Sequence, residues 1–434
     1  MKAGGSLNII IALIVLSLIV IFHEFGHFII AKSNGICVKE FTLGLGPTLI
    51  SFGKGETKYC LKLLPFGGSC VMLGEDTEEN INEERAFVNK PVWARISTIA
   101  AGPIFNFILA FVLALFVIGY VGYDPCKVAG VTQGTPAYDS GLSEGDIITK
   151  VNGKKITFYR DYALYLQLNM GKTLELTYTT ADGETKTTII EPEYVEKKVY
   201  QMGISMGENI EVLSVAKDSA AESAGIMTGD IIKAIDGKEL TSYEDVSPIV
   251  QACNGNALEL TIERDGNTQT VTLTPKMVDQ SGYVYGILLS GAREKVSPIK
   301  VIGYGFSEVR YWIEVTIKSL SMLVTGKVSA NEVSGPVGIV NMIGNTVEQS
   351  RSEGIIMVLV NLAELSILLS ANLGVMNLLP IPALDGGRLV FLLIELVRGK
   401  PINREKEGLV HFIGMVILMI IMVLVLFNDV RNLL

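Results

Sequence analysis

Residues 7–31 are almost wholly Ile, Leu, Val, Phe and Ala, yet this run holds His23-Glu24-Phe25-Gly26-His27. The run is long enough to cross a bilayer as a helix. Ionisable groups near the centre of a span cost about 2–3 kcal/mol or more each, so they mark function rather than packing. His23 and His27 fall on one helical face about one turn apart, the spacing that lets both imidazoles reach one zinc ion. Glu24 sits beside them, where a general base would be. A cleaved secretory signal does not fit, because the apolar stretch is too long and no small-residue cleavage site follows.

The 434 residues are 49% hydrophobic with a mean hydropathy of +0.41, which points to membrane. Apolar runs crowd both ends, whereas residues 124–300 carry the charges, glycines and alternating strands of a soluble region. A net charge of -9 without a basic stripe argues against nucleic acid as a partner, since phosphate binding needs clustered Lys and Arg. Cys37, Cys60, Cys70, Cys126 and Cys253 have neither C-x-x-C spacing nor the even number of a disulfide framework. With only His23, His27 and His411 present, a metal site built on histidine has few ligands to choose from.

The predicted organisation is a polytopic α-helical membrane protein with four transmembrane helices, a membrane-associated β element and two extracytoplasmic α+β domains. The N-terminal membrane domain covers residues 1–123, with spans at about 7–31 and 93–123. Between them, residues 41–72 read as short alternating strands broken by Gly and Pro, packed against the first span. The acidic stretch from Glu75 to Glu84 reads as a solvated loop. In the second span, Ala100-Ala101-Gly102-Pro103 permits close helix approach and Asn106 can bond to a neighbouring helix.

The middle repeats itself: Gly141-Leu-Ser-Glu-Gly-Asp-Ile-Ile recurs as Gly225-Ile-Met-Thr-Gly-Asp-Ile-Ile, each followed by an Asn-Gly or Asp-Gly turn. Both copies resemble PDZ domains, expected at 124–197 and 198–278, a fold that binds extended peptides at a sheet edge. Residues 279–353 are expected to be a linker with an amphipathic helical region that lies on the membrane surface. The C-terminal membrane domain, 354–434, holds spans at about 354–379 and 409–427.

Arg398, Lys400, Arg404 and Lys406 cluster between the last two spans, which places that loop in the cytoplasm. Four spans then leave both termini and the repeats outside. The His-Glu-x-x-His motif and Asp385 arrive at one depth, toward the cytoplasmic side. A catalytic zinc takes three protein ligands and keeps a position for water. Asp385 leads as the third ligand; Glu364 and His411 compete, although a lone His on an apolar face is usually structural. Asn377, before the broken-helix segment that ends at Asp385, is placed to bond substrate backbone or an oxyanion, or else to satisfy the helix break.

His23-Glu-Phe-Gly-His27, Ala101-Gly-Pro-Ile-Phe-Asn106 and Asn377-Leu-Leu-Pro-Ile-Pro-Ala-Leu-Asp385-Gly, in this order, resemble the site-2 protease family of intramembrane zinc metalloproteases. The PDZ-like repeats and Ser334-Gly-Pro-Val-Gly-Ile339 are similar to its bacterial sigma-factor-regulating branch. The resemblance implies Zn2+ on His23, His27 and Asp385, Glu24 as base and Asn377 as a substrate contact. It also implies a multi-pass cell-membrane enzyme that cuts transmembrane segments of single-span proteins, anti-sigma factors or signal-peptide remnants, after another protease has trimmed them. The β element would pair with substrate, and the PDZ-like domains would bind peptide or protein ligands or restrict access. A membrane-bound binding module braced by zinc is the competing reading, but structural zinc needs no carboxylate beside its ligands. A transporter is disfavoured because no inverted repeat of spans is visible.

Overall fold

The computed structural model describes residues 3–53, 55–75, 83–207, 209–328 and 334–433. Most of the acidic stretch from Glu75 to Glu84 lies outside the described residues. The chain divides into two compact units, Met1–Asp124 with Ala292–Leu434, and Pro125–Gly291.

The first unit opens with α1 (Ala3–Ser33), β1 (Val38–Phe52), β2 (Lys58–Met72) and α2 (Val92–Val121). Both strands bend where Gly and Pro interrupt them, so each supplies two segments. Residues 38–43 pair with 68–72 on one side and 58–61 on the other, and 48–52 pair with 59–62. Residues 68–72 therefore form an outer segment of a curled sheet. Ile36, Val38, Met72, Phe87 and Ile99 bury one side of it against α1 and α2, the packing that keeps an irregular backbone tolerable beside a span.

The second unit contains β3 (Lys127–Val131), β4 (Ile147–Val151), β5 (Lys154–Lys155), α3 (Tyr159–Leu168), β6 (Leu174–Thr179) and β7 (Thr185–Ile190). After β8 (Glu193–Val195) and β9 (Lys198–Gln201) come β10 (Ile204–Met206), β11 (Val212–Val215), α4 (Ala220–Ser223), β12 (Ile231–Ile235), β13 (Lys238–Glu239), α5 (Val246–Ala252), β14 (Leu258–Arg264) and β15 (Asn267–Leu273). The chain returns through β16 (Lys276–Asp279) and β17 (Gly282–Val284) to β18 (Ile287–Ser290).

These modules are nested rather than consecutive. β16 pairs with β9, β17 with β8, and β18 with β3, so residues after the second module complete the sheet of the first. This corrects the expected boundaries at 197, 278 and 279. The reason is local: Tyr285-Gly286-Ile287 does for the first module what Met202-Gly203-Ile204 does for the second. Ala137 N–H donates to Tyr285 O, and Ala221 N–H to Met202 O, both at 2.9 Å. Gly286 and Gly203 adopt positive φ, and a Cβ on either would collide with Thr135 or Ser219. A glycine is needed at both turns.

The first unit resumes with α6 (Pro298–Val324), α7 (Pro336–Ser350), α8 (Ile355–Leu378), α9 (Asp385–Arg398) and α10 (Arg404–Leu433). Helices at Leu7–Ser33, Val92–Val121, Ile355–Leu378 and Glu405–Arg431 are long and apolar enough to cross a membrane. α6 does not stand off as a surface helix. It runs along α2 and α8, with Tyr304 stacked on Tyr123 at 4.0 Å, Phe306 on Phe111 at 4.3 Å, and Thr316 bonded to Asn372. Glu308 is buried on this side and accepts from Trp312 Nε1, one turn along the same helix, at 2.8 Å.

α7 ties three helix ends together. Asn8 of α1 donates to Glu348 at 2.9 Å, Asn361 of α8 donates to Ser350 at 2.7 Å, and the Asp429 carboxylate of α10 accepts from Gly335, Val337 and Gly338 N–H at 2.9–3.0 Å. A carboxylate at a helix N-terminus satisfies otherwise orphaned donors. The start of α1, the start of α8 and the end of α10 thus share one end of the bundle.

Candidate metal centre

α1 places His23 and His27 one turn apart, both buried, facing α2. Their approach requires small residues on both helices. A Cβ on Gly102 would fall 2.6 Å from His27 Cε1 and 2.7 Å from His23 Cε1, so Gly102 clears the space the imidazoles occupy. Gly26 meets the Ala101 backbone in the same way. The small-residue cluster of the second span therefore does more than let helices touch.

The third group comes from the break after α8. Pro380 and Pro382 end that helix, and α9 begins at Asp385. Gly386 and Gly387 press against the carbonyls of residues 378, 379 and 381, where any side chain would collide. That fold-back carries the Asp385 carboxylate to the imidazoles. α9 is held by the two-bond contact of Arg95 on α2 with Glu395, at 2.5 and 3.1 Å, and by Arg388 with Glu75.

His23 Nε2 lies 3.2 Å from His27 Nε2 and 3.2 Å from Asp385 Oδ2, and His27 Nε2 lies 3.5 Å from the same oxygen. Tetrahedral zinc with bonds of about 2.0–2.1 Å spaces its ligand atoms by about 3.3 Å. Asp385 Oδ2 is buried without a hydrogen-bond partner. Two imidazole nitrogens and an acceptor-only oxygen converging in this way fit a divalent cation. Among the described residues this is the one cluster of three or more such side chains.

The far ring nitrogens are also engaged. His27 Nδ1 is 2.9 Å from Thr98 O, so Nδ1 carries the proton and Nε2 offers its lone pair. His23 Nδ1 is 3.2 Å from the Asn106 side-chain amide. Asn106 and Thr98 contact the two imidazoles, and sequence reasoning assigned neither to the candidate site, although Asn106 stood out as a polar residue in an apolar span.

Glu24 accepts from the Cys70 backbone N–H, and Gly68 lies close to its Cγ. The outer segment of the β element thus positions the carboxylate beside the cluster. Asn377 Nδ2 is 3.5 Å from His23 Nε2, at the rim and too long for a firm bond. The two competing ligand candidates lie elsewhere: Glu364 pairs with Arg293 at 2.5 Å, and His411 Nδ1 accepts from Ala383 N–H at 2.9 Å.

The model of peptidase family M50 matches residues 11–421. The chain belongs to that family. The M50 assignment agrees with curated relatives of nearly equal length. A zinc metalloprotease RasP of Geobacillus kaustophilus is 32% identical, covering 98% of each chain. The regulator of sigma-E protease RseP of Escherichia coli is 33% identical, covering 97% of this chain and 98% of that one. A solved HtrA3 PDZ domain bound to a phage-derived ligand aligns with 20% of this chain and 92% of its own at 22% identity and a TM-score of 0.18. This M50 chain is a site-2-type zinc metalloprotease with PDZ-like domains and a multi-pass membrane part.

Proposed function

We propose that His23, His27 and Asp385 hold the zinc, that Glu24 is the general base and that Asn377 contacts substrate, in an enzyme that cleaves transmembrane segments of single-span proteins. The convergence of two Nε2 atoms and one carboxylate oxygen at 3.2–3.5 Å carries this reading. Zinc bound there supplies Lewis acidity toward a scissile carbonyl and lowers the pKa of water to about 7. Glu24, aligned by Cys70 N–H, takes the proton of the attacking water and delivers it to the leaving amine. Asn377 at the rim donates to the substrate carbonyl.

A helical substrate hides its peptide bonds in its own hydrogen bonds and must unwind to be cut. The segment 68–72 adjoins Glu24 and lies on the outside of its sheet, and we assign it the role of pairing with the unwound strand. The basic loop after α9 supports a sidedness with the active site toward the cytoplasm and both termini and the PDZ-like modules outside. Candidate substrates are anti-sigma factors, by analogy with the RseP and RasP sigma regulators, or signal-peptide remnants, pre-trimmed by another protease. The second module has a groove of about 650 Å³ between β10 and α5, lined by Met202, Ile204, Met206, Val246 and Val250, suited to an extended peptide.

Glu24→Gln in the purified full-length protein tests the catalytic part. It keeps stoichiometric zinc and loses cleavage of a model transmembrane substrate by at least about 100-fold. A zinc-loaded variant as active as the parent would remove Glu24 from the chemistry.

A further inference from the structure

His411 of α10 is not one of the three proposed zinc ligands, yet it contacts the loop that delivers one, Asp385. Between Leu379 and Leu384 the non-proline N–H groups are bonded close to home with one exception. Leu379 donates to Met376 O, Ile381 to Leu379 O, and Leu384 to Ile381 O. Ala383 N–H donates instead across to His411 Nδ1 at 2.9 Å.

Ala383 has φ 76°, a left-handed conformation that a residue with a Cβ holds only when its surroundings enforce it. Two further contacts clamp the same place. A Cβ on Gly414, one turn beyond His411, would fall 2.6 Å from Pro382 O, so α10 meets the loop backbone directly. Phe391 of α9 packs against the imidazole with ring centroids 5.4 Å apart. The ring is held between α9 and the loop, with its acceptor nitrogen aimed at the strained residue.

We propose that His411 is a positioning residue for Asp385: by accepting from Ala383 N–H it fixes the left-handed turn, which sets the direction in which the Asp385 carboxylate meets His23 and His27. Only Leu384 separates the turn from Asp385, so relaxation of Ala383 to negative φ swings the carboxylate away. The geometry of the metal centre then depends on a helix that contributes no ligand. This rests on the zinc reading of His23, His27 and Asp385.

The test compares His411→Leu, which keeps bulk without an acceptor, with His411→Asn, whose Oδ1 can take the place of Nδ1. Full-length protein in micelles is titrated with Zn2+ against a chelator, and the visible spectrum of the Co2+-substituted form is recorded. His411→Leu is expected to weaken zinc binding about 10- to 100-fold and shift the cobalt bands, as losses of outer-shell support do. His411→Asn restores the affinity to within about threefold of the parent, along with the parent spectrum. A His411→Leu protein with parental affinity and spectrum overturns the proposal, and so do Leu and Asn variants equally impaired in both. A parent that bound no zinc would instead overturn the reading of the site, and this inference with it.

Discussion

The Asn106 amide lies 3.2 Å from His23 Nδ1, and with its nitrogen turned to the ring its Oδ1 is buried without a partner. Reversing the amide resolves this: Oδ1 accepts from Nδ1–H and leaves the His23 Nε2 lone pair free for the proposed metal position it shares with His27 and Asp385. Asn106→Leu is expected to lower zinc affinity about 10- to 100-fold, and Asn106→Asp to retain most of it. Chelator competition on the purified protein checks both; equal loss in the two variants would point to packing instead.

Gly102 leaves no room for a methyl group beside the two imidazoles. Gly102→Ala should abolish stoichiometric zinc binding while leaving a protein that inserts into the membrane, as measured by metal content of the purified variant. Full occupancy would mean that α1 and α2 can separate without cost to the site.

The convergence of His23, His27 and Asp385 was legible in the sequence, for identifiable reasons. His23 and His27 were readable because a helix fixes their spacing and an apolar run makes their presence expensive. The nearness of Asp385 followed from alternation of the spans and the basic loop. The roles of Asn106 and Thr98 were not readable, because one is a generic polar residue in a span and the other acts through its backbone carbonyl. The nesting of the PDZ-like modules was hidden as well: Tyr285-Gly286-Ile287, leading into β18, shares only a Gly and an Ile with Met202-Gly203-Ile204, too little to register as a repeat. Asp429 looked like an ordinary residue near the end of the chain until its carboxylate was seen on the N-terminus of α7.

The repeated Gly-Asp-Ile-Ile motif has a stability consequence. Asp230 is buried and accepts from Arg264 at 2.6 Å through both Nε and Nη2, which holds its carboxyl below the ordinary value of 3.8. A lowered folded-state pKa means the contribution is complete above the unfolded value and is lost as pH falls from there through the folded value. Asp230→Asn should destabilise the second module by about 2–3 kcal/mol at neutral pH and flatten its acid dependence. Hydrogen exchange in β12 and β14 of the full-length protein reads this; unchanged protection at neutral pH would contradict it.

Val71 lies in the outer β segment beside Glu24 and is well exposed. Val71→Pro removes a backbone N–H from that segment and disturbs its edge. Cleavage is expected to fall about tenfold or more with zinc content unchanged, since the substituted residue touches no ligand. Unaltered cleavage would end the proposal that substrate pairs with this edge.

A zinc site made by His23, His27 and Asp385, with a position left open for water, underlies every role assigned above. X-ray absorption at the zinc edge of the purified Glu24→Gln protein tests it most directly. Two imidazole nitrogens and one or two oxygens are expected at about 2.0–2.2 Å, with one imidazole lost in His23→Ala and one oxygen lost in Asp385→Ala. A sulfur ligand at about 2.3 Å, or a spectrum unchanged by Asp385→Ala, would contradict it.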